Sequence, residues 1–152
     1  MATFLTGKFV QQVWTKQFDW LTADIRGLLV GTANNMALTH NFISDIPVLS
    51  EISGVGYTRF VLANKAITFY SANQENAYYG DADDYAYTAL TGNTSIYGLI
   101  LFVQAGGETQ NWLIGKTTDV TNFPATTAGG PLTLQWATKG IVKLVGLTSA
   151  GS

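Results

Sequence analysis

The stretch Ser95-Ile96-Tyr97-Gly98-Leu99-Ile100-Leu101-Phe102-Val103-Gln104 decides the fold. From Leu99 to Val103 every side chain is apolar. In an extended chain successive side chains point to opposite faces, so both faces of this segment are apolar. A half-exposed strand alternates apolar with polar residues, whereas a run of this kind suits a strand covered on both sides. Thr91-Gly92-Asn93-Thr94 on one side and Ala105-Gly106-Gly107-Glu108-Thr109 on the other read as turns. The segment is far short of the roughly 20 apolar residues that span a bilayer. It reads as a central strand of a sheet.

Further strand readings lie on either side. Residues 23–31 carry Ile25, Leu28, Leu29 and Val30 in a mostly apolar run. Residues 57–62 and 66–70 read as strands paired through the short connection Ala63-Asn64-Lys65. Residues 85–90 alternate, and 111–115, 132–137 and 141–145 complete the set, with Thr138-Lys139-Gly140 joining the last two. Residues 71–84 and 117–130 read as polar loops. About seven or eight short strands separated by glycine-bearing turns predict an all-β fold, a sandwich or barrel formed as a single domain over residues 1–152. The N-terminal segment, residues 1–20, adds a short amphipathic helix within 8–20, where Phe9, Val13 and Trp14, and Val10, Trp14 and Phe18, recur at helical spacing. The tail 148–152 is expected to be flexible.

Composition narrows the function. Charged residues make up 12% of the chain against 47% hydrophobic, and mean hydropathy is +0.16. The usual charged share is about 25%. A surface with so few charges suits a chain that works against neighbours. Net charge is −2 and no basic run occurs, so nucleic acid is not an expected partner. There is no signal-peptide pattern and no membrane span, so no membrane partner is expected. The chain has no cysteine, which removes disulfides, thiolate catalysis and cysteine–zinc sites together.

Reactive groups are sparse. His40 is the only histidine, so no histidine-based metal cluster forms, and Ser44 and Asp45 lie too near it on one loop for triad geometry. His40 and Asp45 are read as residues that hydrogen-bond within their loop and hold its shape. Gly54 and Gly56 lack the third glycine of a dinucleotide fingerprint and read as turn glycines. Asp81, Asp83 and Asp84 miss the calcium-loop spacing and read as a solvated acidic turn. No catalytic, cofactor or metal residue is assigned, and no enzyme activity is expected. Tyr78, Tyr79, Tyr85, Tyr87 and Tyr97 suit core packing and interface, with sugar stacking as the alternative.

One more pattern is specific. Thr39-His40-Asn41-Phe42-Ile43-Ser44-Asp45-Ile46, followed by Glu51-Ile52-Ser53-Gly54-Val55-Gly56-Tyr57-Thr58-Arg59, resembles the THxFLSDI…EVSGxGY signature near the front of a group of small tailed-phage virion proteins. Residues 18–30, 59–68, 81–91, 97–102 and 130–144 resemble further segments of that group in the same order, with Trp136 and Gly140 in place. The chain departs from the pattern at 104–110, where an Asp-Thr-Gly type of turn is expected.

The resemblance implies a jelly-roll-like capsid cement, or decoration, protein. Its expected partners are the major capsid protein of an HK97-type shell and further copies of itself, as a homodimer or homotrimer. Its expected place is the outer capsid surface of the virion, after synthesis in the host bacterial cytoplasm. A phage tail or fibre component and a carbohydrate-binding β-sandwich module are the alternatives. Phe4, Phe9, Trp14 and Trp20 are the candidate contacts to the shell or a sister subunit, because one short helix cannot hide so much aromatic surface. His40, Asp45, Gly54, Gly56 and Tyr57 are candidates for holding loop structure.

Overall fold

A computed structural model describes residues 4–72, 75–92, 94–118 and 120–146. The expected tail 148–152 lies outside the described residues. Strands dominate: β1 (Phe4–Leu5), β2 (Ile25–Val30), β3 (Phe60–Val61), β4 (Ala66–Ala72), β5 (Glu75–Asp81), β6 (Tyr85–Tyr87), β7 (Ser95–Ile96), β8 (Gly98–Val103), β9 (Trp112–Thr117), β10 (Ala125–Thr126), β11 (Leu132–Leu134) and β12 (Val142–Gly146). Among the described residues one helix, α1 (Gly7–Trp14), follows β1, and a single 3₁₀ turn spans Ile43–Asp45. The chain is all-β and sandwich-like, with one short N-terminal helix.

The central layer is an antiparallel sheet in the order β1-β9-β8-β2-β3. β8 lies between β9 and β2, and Gly98 to Phe102 are all buried. Both faces of this sheet are covered, which is why β8 carries no polar alternation. On one face Ile25, Leu29, Leu99, Leu101 and Ile114 meet Phe9, Trp20, Phe60, Tyr87, Leu134 and Trp136. On the other, Leu28, Val30, Ile100, Phe102 and Leu113 meet Met36, Ile43 and Ile46 from the segment after β2. Each such side chain, fully buried, contributes about 1.5–3 kcal/mol.

Where a jelly roll has a second four-stranded sheet, this second layer is divided. It consists of the ribbons β7–β10 and β6–β11 and the three-stranded sheet β12-β5-β4.

Three local expectations are corrected. Strand residues 57–62 shrink to β3, which pairs with β2 instead of β4. Gly27 makes room there, because a Cβ on it would overlap the Phe60 ring. Asn64, at φ 49, then turns the chain away. The polar segment 71–84 is not all loop: it contains β5, which pairs with β4 on one side and β12 on the other. The last two strands do not pair together, since β11 joins β6 and β12 joins β5, with Gly140 at φ 127 redirecting the chain between them.

Helix α1 is shorter than the span read for it. Thr6 caps it by accepting from the Phe9 backbone N–H at 3.2 Å, while its own hydroxyl donates to the Leu113 carbonyl at 2.6 Å. Lys16, at φ 56, ends it in a left-handed conformation. The chain then folds back, and Phe18 packs edge-on against Phe9, Trp20 and Trp112.

Candidate interface

The loop around His40–Asp45 is a structural clamp. Asp45 Oδ2 accepts from the backbone N–H groups of Asn41 and Phe42, each at 2.9 Å. His40 Nδ1 accepts from the Ala37 N–H at 3.0 Å. The loop so held drives Ile43 and Ile46 into the second face of the central sheet. Both polar groups are used inside the loop.

The second half of the signature folds against β2. Tyr57 donates its hydroxyl to Glu51 at 2.7 Å and accepts the Leu29 N–H at 3.2 Å. Arg59 grips Glu51 with two hydrogen bonds, at 2.9 and 2.7 Å, and reaches Glu108 at 2.7 Å. Its guanidinium lies 5.5 Å from the centroid of Phe102. The Glu51 hydrogen bonds hold the arginine pKa above its ordinary value. Burial pushes the hydroxyls of Tyr57 and Tyr87 well above the usual tyrosine range. Gly54 and Gly56 sit at φ 148 and 86, where side chains are strained, and a Cβ on either would strike the carbonyl of Thr91 or Ala89.

Glu108 joins the two halves. Its carbonyl accepts from the Ser44 N–H at 3.2 Å while its carboxylate holds Arg59. The loop 104–110 thus ties the His40–Asp45 loop to the Glu51–Arg59 segment. No local spacing signals this link, because it is made across 49 residues.

The acidic turn is committed to tryptophans. Asp84 accepts from the Trp136 N–H, the Asp83 carbonyl from the Trp136 indole, and the Asp81 carbonyl from the Trp20 indole. Asp83 Oδ2 accepts from Asn64. Among the described residues no three His, Cys, Asp or Glu side chains gather in a way that could hold a metal ion.

The four N-terminal aromatics divide. Phe9 and Trp20 are core residues, 1% and 5% exposed, and Phe4 is half-buried against the second cluster. Trp14 is 82% exposed at the end of α1 and shares its outer side with the exposed Val10 one turn away. As an accessible contact, then, the segment offers Trp14 and part of Phe4. The tyrosines divide too: Tyr85 and Tyr87 pack edge-on in the core region, while Tyr78 and Tyr97 are exposed.

Sequence reasoning did not single out one open apolar surface. It lies on the β12-β5-β4 sheet. Register places Ile67, Phe69, Tyr78, Gly80, Val142 and Leu144 on one face. At the base this face is covered: Trp20 packs over Gly80, and Val142 is buried. Farther along it is open, with Ile67 and Phe69 each 48% and Tyr78 55% exposed. An apolar groove of about 390 Å³ runs between this face and the Phe9, Val13 and Phe18 side of the N-terminal segment. On the opposite face Lys139 and Lys143 lie over the rings of Tyr70 and Tyr79.

Comparison of the chain with protein-family models, with curated proteins and with solved structures finds no match.

The arrangement is one of surfaces. Lys116 is a half-buried cation, with its pKa lowered by desolvation, and it hydrogen-bonds Asn34 at 3.0 Å. Asp24, on the surface, has its pKa lowered by the hydrogen bond from Arg26. Among the open apolar features are a sheet face and a protruding tryptophan, and both suit contact with another protein.

Proposed function

We propose that this chain is a non-enzymatic structural protein of a tailed-phage particle, a capsid cement protein that binds across the junctions of an HK97-type major capsid shell. The observation that carries the reading is the signature Thr39 to Arg59, with further family-like segments following in order. Two features support it. Surface charge is scarce, and the open apolar groove beside the β12-β5-β4 sheet is accompanied by the exposed Trp14.

A cement protein must bind the assembled shell better than separate subunits, since only differential affinity shifts an equilibrium. Many identical weak contacts then add through multivalency. Apolar contacts keep their strength in salt, whereas exposed ion pairs are screened beyond about 10 Å at 0.1 M. In this reading the protein sits on the outer capsid surface, made in the host cytoplasm and joined to the shell through Trp14, with self-association as a dimer or trimer.

Co-sedimentation with expanded shells stripped of the protein tests this, with unexpanded shells and tails as controls. Saturable binding to expanded shells alone is the expected result. Trp14→Ser is expected to weaken that binding while leaving the fold intact. Binding to tails in its place moves the assignment to a tail component. Binding to no particle overturns the virion reading.

A further inference from the structure

The β4 strand is unusual among the described strands. Every residue from Ala66 to Ser71 is exposed, on both faces, although Ile67, Phe69 and Tyr70 are among them. It lies at the end of its sheet, and β5 is its one extensive neighbour among the described residues. Natural edge strands are guarded against pairing by charges, proline, bulges or shortness. β4 has none of these guards: Ala66-Ile67-Thr68-Phe69-Tyr70-Ser71-Ala72 carries no charge and no proline. Its register with β5 runs unbroken from Ala66↔Asp81 to Ala72↔Glu75. The other edge of the sheet, β12, carries Lys143.

We propose that β4 pairs antiparallel with β4 of a second copy across a two-fold axis, making a symmetric homodimer with a continuous six-stranded sheet. The sequence of β4 is suited to itself. A two-fold centred on Phe69, its middle residue, sets Phe69 opposite Phe69, Thr68 opposite Tyr70 and Ile67 opposite Ser71. No like charges meet, which in a charged strand would oppose self-pairing.

Phe69 already packs against Tyr78, with ring centroids 4.8 Å apart. Pairing extends this into an aromatic ladder of four rings across the axis. Pairing of this kind covers the backbone edge of β4 and the flanks of the side chains next to the axis, whereas Tyr78 and Leu144 lie one and two strands inward. An interface built on one strand pair is small, so the dimer is reversible and depends on concentration. The surface on β4 is isologous, so it closes at two copies and does not make a trimer.

This inference makes specific the self-association within the particle reading. It is measured on the free protein without a shell, so its failure and failure of shell binding are separate results. Sedimentation equilibrium over a concentration series is the first measurement, and the mass is expected to rise from one copy to two. Thr68→Lys combined with Tyr70→Lys sets like charges opposite each other and is expected to weaken the dimer about tenfold or more, with circular dichroism unchanged.

The chain has no cysteine, so Phe69→Cys provides one thiol per copy. Mild oxidation is expected to link that variant into covalent dimers, whereas Val10→Cys on α1 stays unlinked. A monomer at every concentration, a trimer, a dimer that survives the lysine substitutions, or a Phe69→Cys variant that does not link would each overturn the proposal.

Discussion

Tyr57 and Tyr87 show how single side chains set the conditions under which this fold holds. Each hydroxyl is half-buried or buried and hydrogen-bonded, Tyr57 to Glu51 and Tyr87 to the Thr58 carbonyl at 2.7 Å. Burial raises both above the ordinary value of 10.0, so the folded state keeps its protons where the unfolded state loses them. Their stabilising contribution is whole below pH 10 and falls as pH rises beyond it. The loss approaches about 1.4 kcal/mol per pH unit for each tyrosine. Lys116 works in the opposite sense: the lowered value means a charge penalty that lifts as pH rises toward 10.5. With two tyrosines against one lysine, stability measured by urea unfolding is expected to fall between pH 10 and 11. The double variant Tyr57→Phe, Tyr87→Phe is expected to start lower at neutral pH, by about 1 kcal/mol per lost hydrogen bond, and to lose less above pH 10. An unchanged alkaline slope would show that these hydroxyls titrate normally.

Helix α1 carries two adjoining stripes with different fates. Phe9 and Val13, four residues apart, face the core, and Val10 and Trp14 face outward. Helical spacing made both stripes visible in the sequence, but spacing does not say which one the sheet covers. The cap decides, because Thr6 is tied to the Leu113 and Ile114 carbonyls of β9 and sets the rotation of the first turn. Phe9→Ala is therefore expected to cost about 3–5 kcal/mol in equilibrium unfolding, and Trp14→Ala to stay within about 0.5 kcal/mol. Equal costs would contradict this orientation. β5 and its pairing with β4 escaped the sequence reading for a related reason. Strand patterns are legible when one face is wet and the other dry, and here much of both faces is open.

Across the whole molecule, protection is unevenly distributed. β8 is buried on both faces and paired on both sides, whereas β4 is an open edge. Hydrogen exchange followed by mass spectrometry is expected to find the β8 amides slowest and those of β4 fast in dilute solution, with β4 slowing as concentration rises and copies pair. Protection of β4 equal to that of β8 at high dilution would contradict the open edge. Local periodicity and turn residues were enough to show that the chain is β-rich, that 99–103 forms a central strand and that a short helix lies near the N-terminus. Only the tertiary structure decided which strands pair, that Phe9 and Trp20 are core while Trp14 is surface, that Glu108 joins the two halves of the signature, and that an apolar face stands open beside β4. Those outcomes depend on contacts between residues far apart in the chain, and such contacts leave no periodic trace in the sequence.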